Sequence, residues 1–186
     1  MAADRVALHR ARQAMQIVFQ DPFGSLNPRM RVGDILEEGI ATLQPETSAA
    51  ERTERIAALL DKVGLARDSL LRYPHEFSGG QRQRIAITRV LAVEPKLIVC
   101  DEPTSALDVS VQAQILNLLR QLQNELGLSL LFITHNIGVV EYLADHVAVM
   151  KEGKIVEAGT SEQVLRAPPH EYTKSLLLAV PRTQGS

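Results

Sequence analysis

Two short runs made only of apolar residues restrict the fold of this 186-residue chain more than any other feature, and they cover residues 97–100 and 130–133. Such runs are typical of strands that are covered on both faces, as in a parallel sheet. Apolar residues between the runs repeat at helical spacing, which predicts a strand–helix–strand crossover. The repeating positions are Val111, Ile115, Leu118, Leu122 and Leu126.

The rest of the chain continues this alternation of strands and helices. A strand is predicted at residues 15–19, before Pro22. Two helices are expected after residue 31, and Ser48 and Glu51 form a capping box at the start of one that Gly64 ends. The other predicted elements are a loop at 21–31, helices at about 81–92, 137–144, 161–166 and 170–179, and a hairpin pairing 147–150 with 154–157. We therefore expect an α/β fold with a parallel sheet flanked by helices.

Charge and composition exclude several classes of protein. The net charge of −2 argues against a dedicated nucleic-acid binder, which normally carries a basic excess. No apolar stretch approaches the roughly 20 residues that span a bilayer, and residues 1–12 carry charges that a signal peptide would lack. The single cysteine, Cys100, lies in an apolar run and is expected to be a buried hydrophobe. We expect a soluble cytoplasmic protein.

Two carboxylates, Asp101 and Glu102, follow the first apolar run directly. Open α/β sheets bind ligands at the carboxyl ends of their strands. There, Asp101 can hold Mg²⁺ and Glu102 can polarise a water for attack on a γ-phosphate. For these two residues alone, a pair of solvated acids at a strand end is an equally good interpretation.

Three further segments carry chemistry only in combination. Glycines at the start of a helix, in the segment Ser78-Gly79-Gly80-Gln81, let backbone N–H groups approach a phosphate. His135, after the second run, can bond a γ-phosphate, and Gln20 can contact Mg²⁺ or water through its amide oxygen. Taken singly, an ordinary turn and a capping or packing histidine are the favoured interpretations, and a lone glutamine carries almost no information.

In this order and spacing, the segments resemble the ATP-binding cassette (ABC) family over nearly the whole chain. Gln20 is similar to the Q-loop glutamine, and residues 77–81 are similar to the signature motif. Asp101 and Glu102 resemble the Walker B pair, and residues 105–108 resemble the D-loop. His135 is similar to the switch histidine. The resemblance implies a fold like that of P-loop NTPases with an added helical subdomain, and ATP and Mg²⁺ as ligands. It implies catalytic roles for Glu102 and His135 and Mg²⁺ contacts for Asp101 and Gln20. The implied nucleotide-binding residues are Gln20, Ser78, Gly79, Gly80, Gln81, Asp101 and Asp108.

The resemblance also implies how the chain is organised. Residues 1–186 would be part of one nucleotide-binding domain: a helical subdomain with the signature at about 28–92, catalytic core strands at 93–160, and a helical tail at 161–186. Residues 19–29, 72–77 and 169–173 look like those of dipeptide and oligopeptide importers. The implied function is ATP hydrolysis that powers peptide import. The alternatives are an importer for another solute, or a fragment that supplies only the signature half of a site.

Some features depart from the family pattern. Phe77 stands where leucine is commoner, and Asn136 stands where aspartate usually follows the histidine. No Gly-x-x-x-x-Gly-Lys-Ser/Thr loop occurs in the printed sequence, and the family places this loop upstream of Gln20. We therefore expect a truncated copy that lacks the N-terminal portion of the domain, is inactive alone and folds poorly.

Partners follow from the resemblance as well. In the family, two cassettes pair head to tail, so Ser78, Gly79 and Gly80 would contact a nucleotide held mainly by the other cassette, and Asp108 would cross the interface. That cassette would be a second copy, a homologue or a fused domain. Membrane permease subunits, and indirectly a peptide-binding protein, are the other expected partners, and no nucleic acid is expected. The expected location is peripheral, on the cytoplasmic face of the inner or plasma membrane.

Overall fold

The computed structural model describes residues 4–179. Its strands are β1 (Met15–Val18), β2 (Leu97–Asp101), β3 (Ser129–Ile133), β4 (His146–Lys151) and β5 (Lys154–Thr160). Its α-helices are α1 (Arg5–Ala14), α2 (Pro22–Ser25), α3 (Val32–Leu43), α4 (Ala49–Val63), α5 (Gly79–Leu91), α6 (Val109–Leu126), α7 (Ile137–Leu143), α8 (Ser161–Arg166) and α9 (Glu171–Ala179), with 3₁₀ turns at Arg67–Leu71 and Pro74–Glu76. The chain divides into two compact units, Met1–Ile133 and Thr134–Ser186.

The first unit contains a parallel sheet in the order β1-β2-β3. Val18 pairs with Cys100, and Cys100 pairs with Phe132. The crossover from β2 to β3 runs through α6, so the predicted strand–helix–strand unit is confirmed, and with it the α/β class. The buried face of α6 includes Ile115, Leu118 and Leu122, whereas Leu126 is 41% exposed. Leu126 differs from the expected pattern because the helix ends there, before Gly127 at φ 64°.

Burial alternates along the sheet, and this corrects one expectation. Val18, Ile98 and Cys100 are buried on one face, against which α5 packs. Ile17 and Ile133 belong to the opposite face and are exposed. The prediction that β3 is covered on both faces is therefore wrong for the described chain, because an apolar run cannot say which of its alternate side chains meets a helix. The buried thiol of Cys100 is confirmed, and burial raises its pKa to about 12.

The helices α3, α4 and α5 form the remainder of the first core. In α4, Ser48 Oγ accepts a bond from the Glu51 N–H, and the Glu51 carboxylate accepts one from the Ser48 N–H, so the predicted capping box is present. Gly64 ends α4 at φ 70°, a left-handed conformation that glycine adopts without strain. The largest fully buried side chains of the unit include Leu36, Ile40, Leu60, Ile85, Ile87 and Leu119.

Two helices lie where none was predicted. The first is α1, whose N-cap Asp4 accepts a bond from the Val6 N–H. None of its residues is buried, so no contact with the core marks this helix. The second is the single turn α2, within the segment expected to be a loop. No described helix has both the length and the apolar character needed to span a membrane.

The second unit contains the predicted hairpin and the predicted terminal helices. β4 and β5 pair antiparallel around Glu152 and Gly153, with an irregularity between Val149 and Met150. The Glu157 carboxylate on β5 accepts a bond from the Thr173 hydroxyl on α9, so it ties this helix to the hairpin. Residues 180–186 of the expected helical tail lie outside the described residues.

Candidate functional site

The carboxyl ends of β1 and β2 bring two of the predicted site residues together. Gln20 lies just past β1, and Glu102 follows β2, its immediate neighbour in the sheet. The Gln20 side-chain amide Nε2 donates a hydrogen bond of 3.3 Å to Glu102 Oε2. Because β1 and β2 run parallel, residues 82 positions apart in sequence meet at one sheet edge.

Glu102 has an unusual backbone conformation, with φ at 43°. Its N–H donates to the Ile133 carbonyl at 2.9 Å, which extends the pairing with β3 by one residue. Its carbonyl accepts from the Ser105 N–H at 3.2 Å and from the Ser105 hydroxyl at 3.1 Å, which closes a turn. A left-handed conformation at a residue other than glycine costs about 1–2 kcal/mol and is found most often at functional sites.

Asp101 is the last residue of β2 and lies opposite Ile133 in the register. Together with Gln20, it would offer carboxylate and amide oxygens to a metal ion. Magnesium is usually held by one or two carboxylates together with substrate phosphates and water, rather than by an all-protein cage. Among the described residues, no group of three or more His, Cys, Asp or Glu side chains could hold a metal. A carboxylate and an amide oxygen are ligand types that Mg²⁺ accepts.

The predicted phosphate-contacting turn lies at the start of α5. Ser78 is the N-cap, and its hydroxyl accepts from the Gln81 N–H at 3.3 Å. The Gln81 side chain reaches back to the Ser78 N–H at 3.0 Å, which completes a capping box. The first N–H groups of a helix have no acceptor within the helix, so those of Gly79 and Gly80 are suited to bind an anion.

Gly80 also has a packing role that the sequence did not reveal. A Cβ atom at Gly80 would lie 2.5 Å from Cγ1 of Val111 on α6, a distance that real Cβ contacts essentially never show. At Gly79 the corresponding contact is 3.3 Å, to Cδ2 of Leu107. The close approach of α5 to α6 therefore requires a glycine at position 80, whether or not a nucleotide is present. The sequence around Gly80 does not reveal this packing role, because the contacting residue, Val111 on α6, lies about 30 residues further along the chain.

Asp108 is the N-cap of α6 and ends the segment 103–108 that follows Glu102. Its Oδ1 accepts from the Val111 N–H and from the Ser110 hydroxyl, each at 2.9 Å. These bonds, the one from Val111 first, hold the pKa of the Asp108 carboxyl below its ordinary value. The Gln112 amide braces the segment by donating to the Thr104 and Leu107 carbonyls. The expected role of Asp108 at an interface between cassettes stays a prediction.

His135 belongs to the second compact unit, whereas the other predicted site residues belong to the first. It comes two residues after the end of β3, is exposed, and precedes Asn136, the N-cap of α7. The Asn136 side chain accepts from the Gly138 N–H at 3.0 Å, so asparagine serves this capping position. The catalytic role expected for His135 stays a prediction, as does the division of the chain at residues 28–92, 93–160 and 161–186.

Known proteins resemble this chain closely. It is 55% identical over 175 residues to the oligopeptide transport ATP-binding protein OppF of Streptococcus mutans, covering 94% of this chain and 57% of the relative. It is 55% identical over 170 residues to OppF of Escherichia coli K12, covering 91% and 51%. Over 171 residues it is 55% identical to the dipeptide transport ATP-binding protein DppF of Haemophilus influenzae, covering 92% and 52%. The chain thus spans about half the length of the curated relatives it matches.

A solved structure resembles the fold. It is cbiO1 from Clostridium perfringens, described as part of the ABC transporter complex cbiONQ. The TM-score is 0.76 and the sequence identity is 31%. The match covers 96% of this chain and 69% of the cbiO1 chain. The family model described as "ABC transporter" matches residues 3–105, more than half of the 186 residues, and includes Gln20, Ser78–Gln81, Asp101 and Glu102. This chain belongs to the ABC transporter family.

Proposed function

We propose that this chain, as part of a complete nucleotide-binding domain, binds and hydrolyses ATP to drive peptide import through an ABC transporter. The hydrogen bond from Gln20 to Glu102 carries the proposal, because it joins the two strand-end groups that this chemistry needs at one sheet edge. The names of the relatives support the peptide as cargo, since OppF and DppF are described as oligopeptide and dipeptide transport ATP-binding proteins.

Each residue at this edge has a separate task in the proposal. Glu102 orients the attacking water and accepts its proton, and the amide of Gln20 keeps the Glu102 carboxylate in place. Asp101 and the amide oxygen of Gln20 would hold Mg²⁺, which supplies positive charge beside the phosphates. His135 is proposed to bond the γ-phosphate. The helix start at Gly79 and Gly80 offers N–H groups to a nucleotide held mainly by a second cassette.

The proposed partners are a second cassette and the permease subunits of a transporter, with a peptide-binding protein as an indirect partner. The chain would act at the cytoplasmic face of the membrane. This part of the proposal is supported by the relatives, which are named as transport ATP-binding proteins, and by cbiO1, which is described as part of a transporter complex.

The test is Glu102→Gln in the transporter complex purified from cells that express the gene. Removing the base while keeping its shape is expected to reduce ATP turnover by at least about 100-fold, the lower end of the usual range for a general base. Binding of Mg-ATP is expected to persist, so the variant complex should retain nucleotide after gel filtration.

The matched control is Glu152→Gln. Glu152 also has a positive φ, of 50°, but it lies at the tip of the hairpin. Its substitution should leave turnover unchanged. Unchanged turnover in Glu102→Gln would remove the catalytic assignment of Glu102. A wild-type complex that does not bind nucleotide would contradict the proposed function as a whole.

A further inference from the structure

Gln83 is the most unusual buried side chain in the described part of the structure. It lies on α5 and has no exposed surface. Neither its amide nitrogen nor its amide oxygen has a hydrogen-bond partner among the described residues. A buried polar group normally has such a partner, because leaving one without it destabilises the fold. Gln83 therefore needs an explanation beyond packing.

Gln44 shows what a satisfied buried glutamine looks like in the same protein. It is also buried, with 5% exposure. Its amide nitrogen donates to the Val93 carbonyl at 3.0 Å, and its amide oxygen accepts from the Arg55 guanidinium. The two glutamines thus differ in hydrogen bonding rather than in burial, which makes Gln44 a matched reference.

The position of Gln83 on α5 indicates which segment it serves. It lies three residues after Gly80 and four after Gly79, on the helix face that those glycines share. That face meets Leu107 and Val111, the residues that a Cβ at Gly79 or Gly80 would contact. Side chains on a helix lean towards its N-terminus. Helix geometry therefore places Gln83 on the face of α5 whose first turn approaches Leu107 and Val111.

The segment 103–108 joins the two parts of the proposed site. It begins after Glu102 and ends at Asp108, the N-cap of α6. In the described structure, a glutamine from α6, Gln112, bonds the carbonyls of Thr104 and Leu107. Thr104 is 6% exposed, so this part of the segment is buried. A change in the segment would move backbone groups that face the start of α5, where Gly79 approaches Leu107.

We propose that Gln83 is a positioning residue for the segment 103–108, and that its amide forms hydrogen bonds with this segment when nucleotide is bound. The inference rests on the proposed function. The unpartnered amide raises the free energy of the resting state, and the new bonds lower that of the nucleotide-bound state. Gln83 would thus favour the arrangement in which Glu102 and Asp108 are correctly placed, without touching the nucleotide.

The experiment compares Gln83→Met, Gln83→Leu and the control Gln44→Met in the purified transporter complex, with thermal unfolding of each chain. Gln83→Met removes an unpartnered amide and keeps the volume, so its Tm should rise by about 3 °C. Gln83→Leu should also be no less stable than wild type. Gln44→Met breaks two hydrogen bonds and should lower the Tm by about 3 °C or more.

Kinetics and hydrogen exchange supply the second readout. In Gln83→Met, KM for ATP should rise at least about fivefold with a smaller change in kcat, because the lost hydrogen bonds belong to the nucleotide-bound ground state. In wild type, Mg-ATP should slow amide exchange in residues 103–112, and this slowing should be lost in the variant.

Two results would overturn the inference alone. One is a Tm that falls in both Gln83 variants as it does in Gln44→Met. The other is a Gln83→Met variant whose KM for ATP and amide exchange are identical to those of wild type. A wild-type complex that neither binds nor hydrolyses ATP would remove the proposed function, and this inference with it. The two failures are thus distinguishable, because only the second is visible in the wild type.

Discussion

Gly80 illustrates how one residue meets two demands. A glycine near the start of a helix is usually a cost, since replacing it by alanine in a helix stabilises a protein by about 1 kcal/mol. At Gly80 the same replacement is expected to destabilise the protein, because an added Cβ would lie 2.5 Å from Val111 Cγ1. The glycine that offers its N–H to an anion is therefore also the residue that allows α5 and α6 to touch.

Gly80→Ala is accordingly expected to lower the free energy of unfolding by about 1–3 kcal/mol, the usual cost of an overpacked core. Urea denaturation of the chain would measure it. Adding Val111→Ala removes the clashing atom and should recover most of the loss. Gly79→Ala is the control, since its Cβ would meet only the tip of the Leu107 side chain at 3.3 Å. If Gly80→Ala is as stable as wild type, the packing role is wrong.

At the scale of single elements, helix starts were the most predictable feature. Ser48 and Glu51 cap α4 as expected, because the bonds of a capping box involve only residues three apart. The helix α1 and the exposed face of β3 were not predictable. For α1, none of its side chains is buried. For β3, the covering of each face depends on helices far along the chain.

The cap of α6 leads to a prediction for the pH dependence of stability. The Val111 N–H and the Ser110 hydroxyl lower the pKa of Asp108 in the folded protein below its ordinary value of 3.8. This ionised cap therefore stabilises the fold at pH values above 3.8, and the contribution is lost as the pH falls through the folded pKa. Acid weakens the start of α6 for this reason.

Asp108→Asn should remove this part of the pH dependence while keeping the cap, because an asparagine side chain also accepts the Val111 N–H. The measurement is the free energy of unfolding from pH 2 to pH 6. Asp108→Ala loses the cap and should be less stable than Asp108→Asn at every pH. Equal pH slopes below pH 5 in wild type and Asp108→Asn would contradict the assignment.

At the scale of the whole molecule, the site was predictable wherever topology alone decides it. The family resemblance implies one site for Gln20 and Glu102, and the common edge at which parallel strands end accounts for their contact. The packing partner of Gly80 and the lack of a hydrogen-bond partner for the Gln83 amide could not be predicted from the sequence. Both depend on how two helices pack side by side. The sequence pattern marks these residues as part of the signature region and gives no sign of their second role.

The two compact units also differ in how much they bury. Among the described residues of Thr134–Ser186, the buried side chains are those of Val139, Val164 and Thr173, whereas the first unit contains an extended apolar core. Local stability follows buried apolar contact. Amides of α7, α8 and the hairpin should therefore exchange at least about tenfold faster than those of α5 and α6, since small units bury little surface. Hydrogen exchange with mass spectrometry would test this, and equal protection in both units would show that they unfold as one.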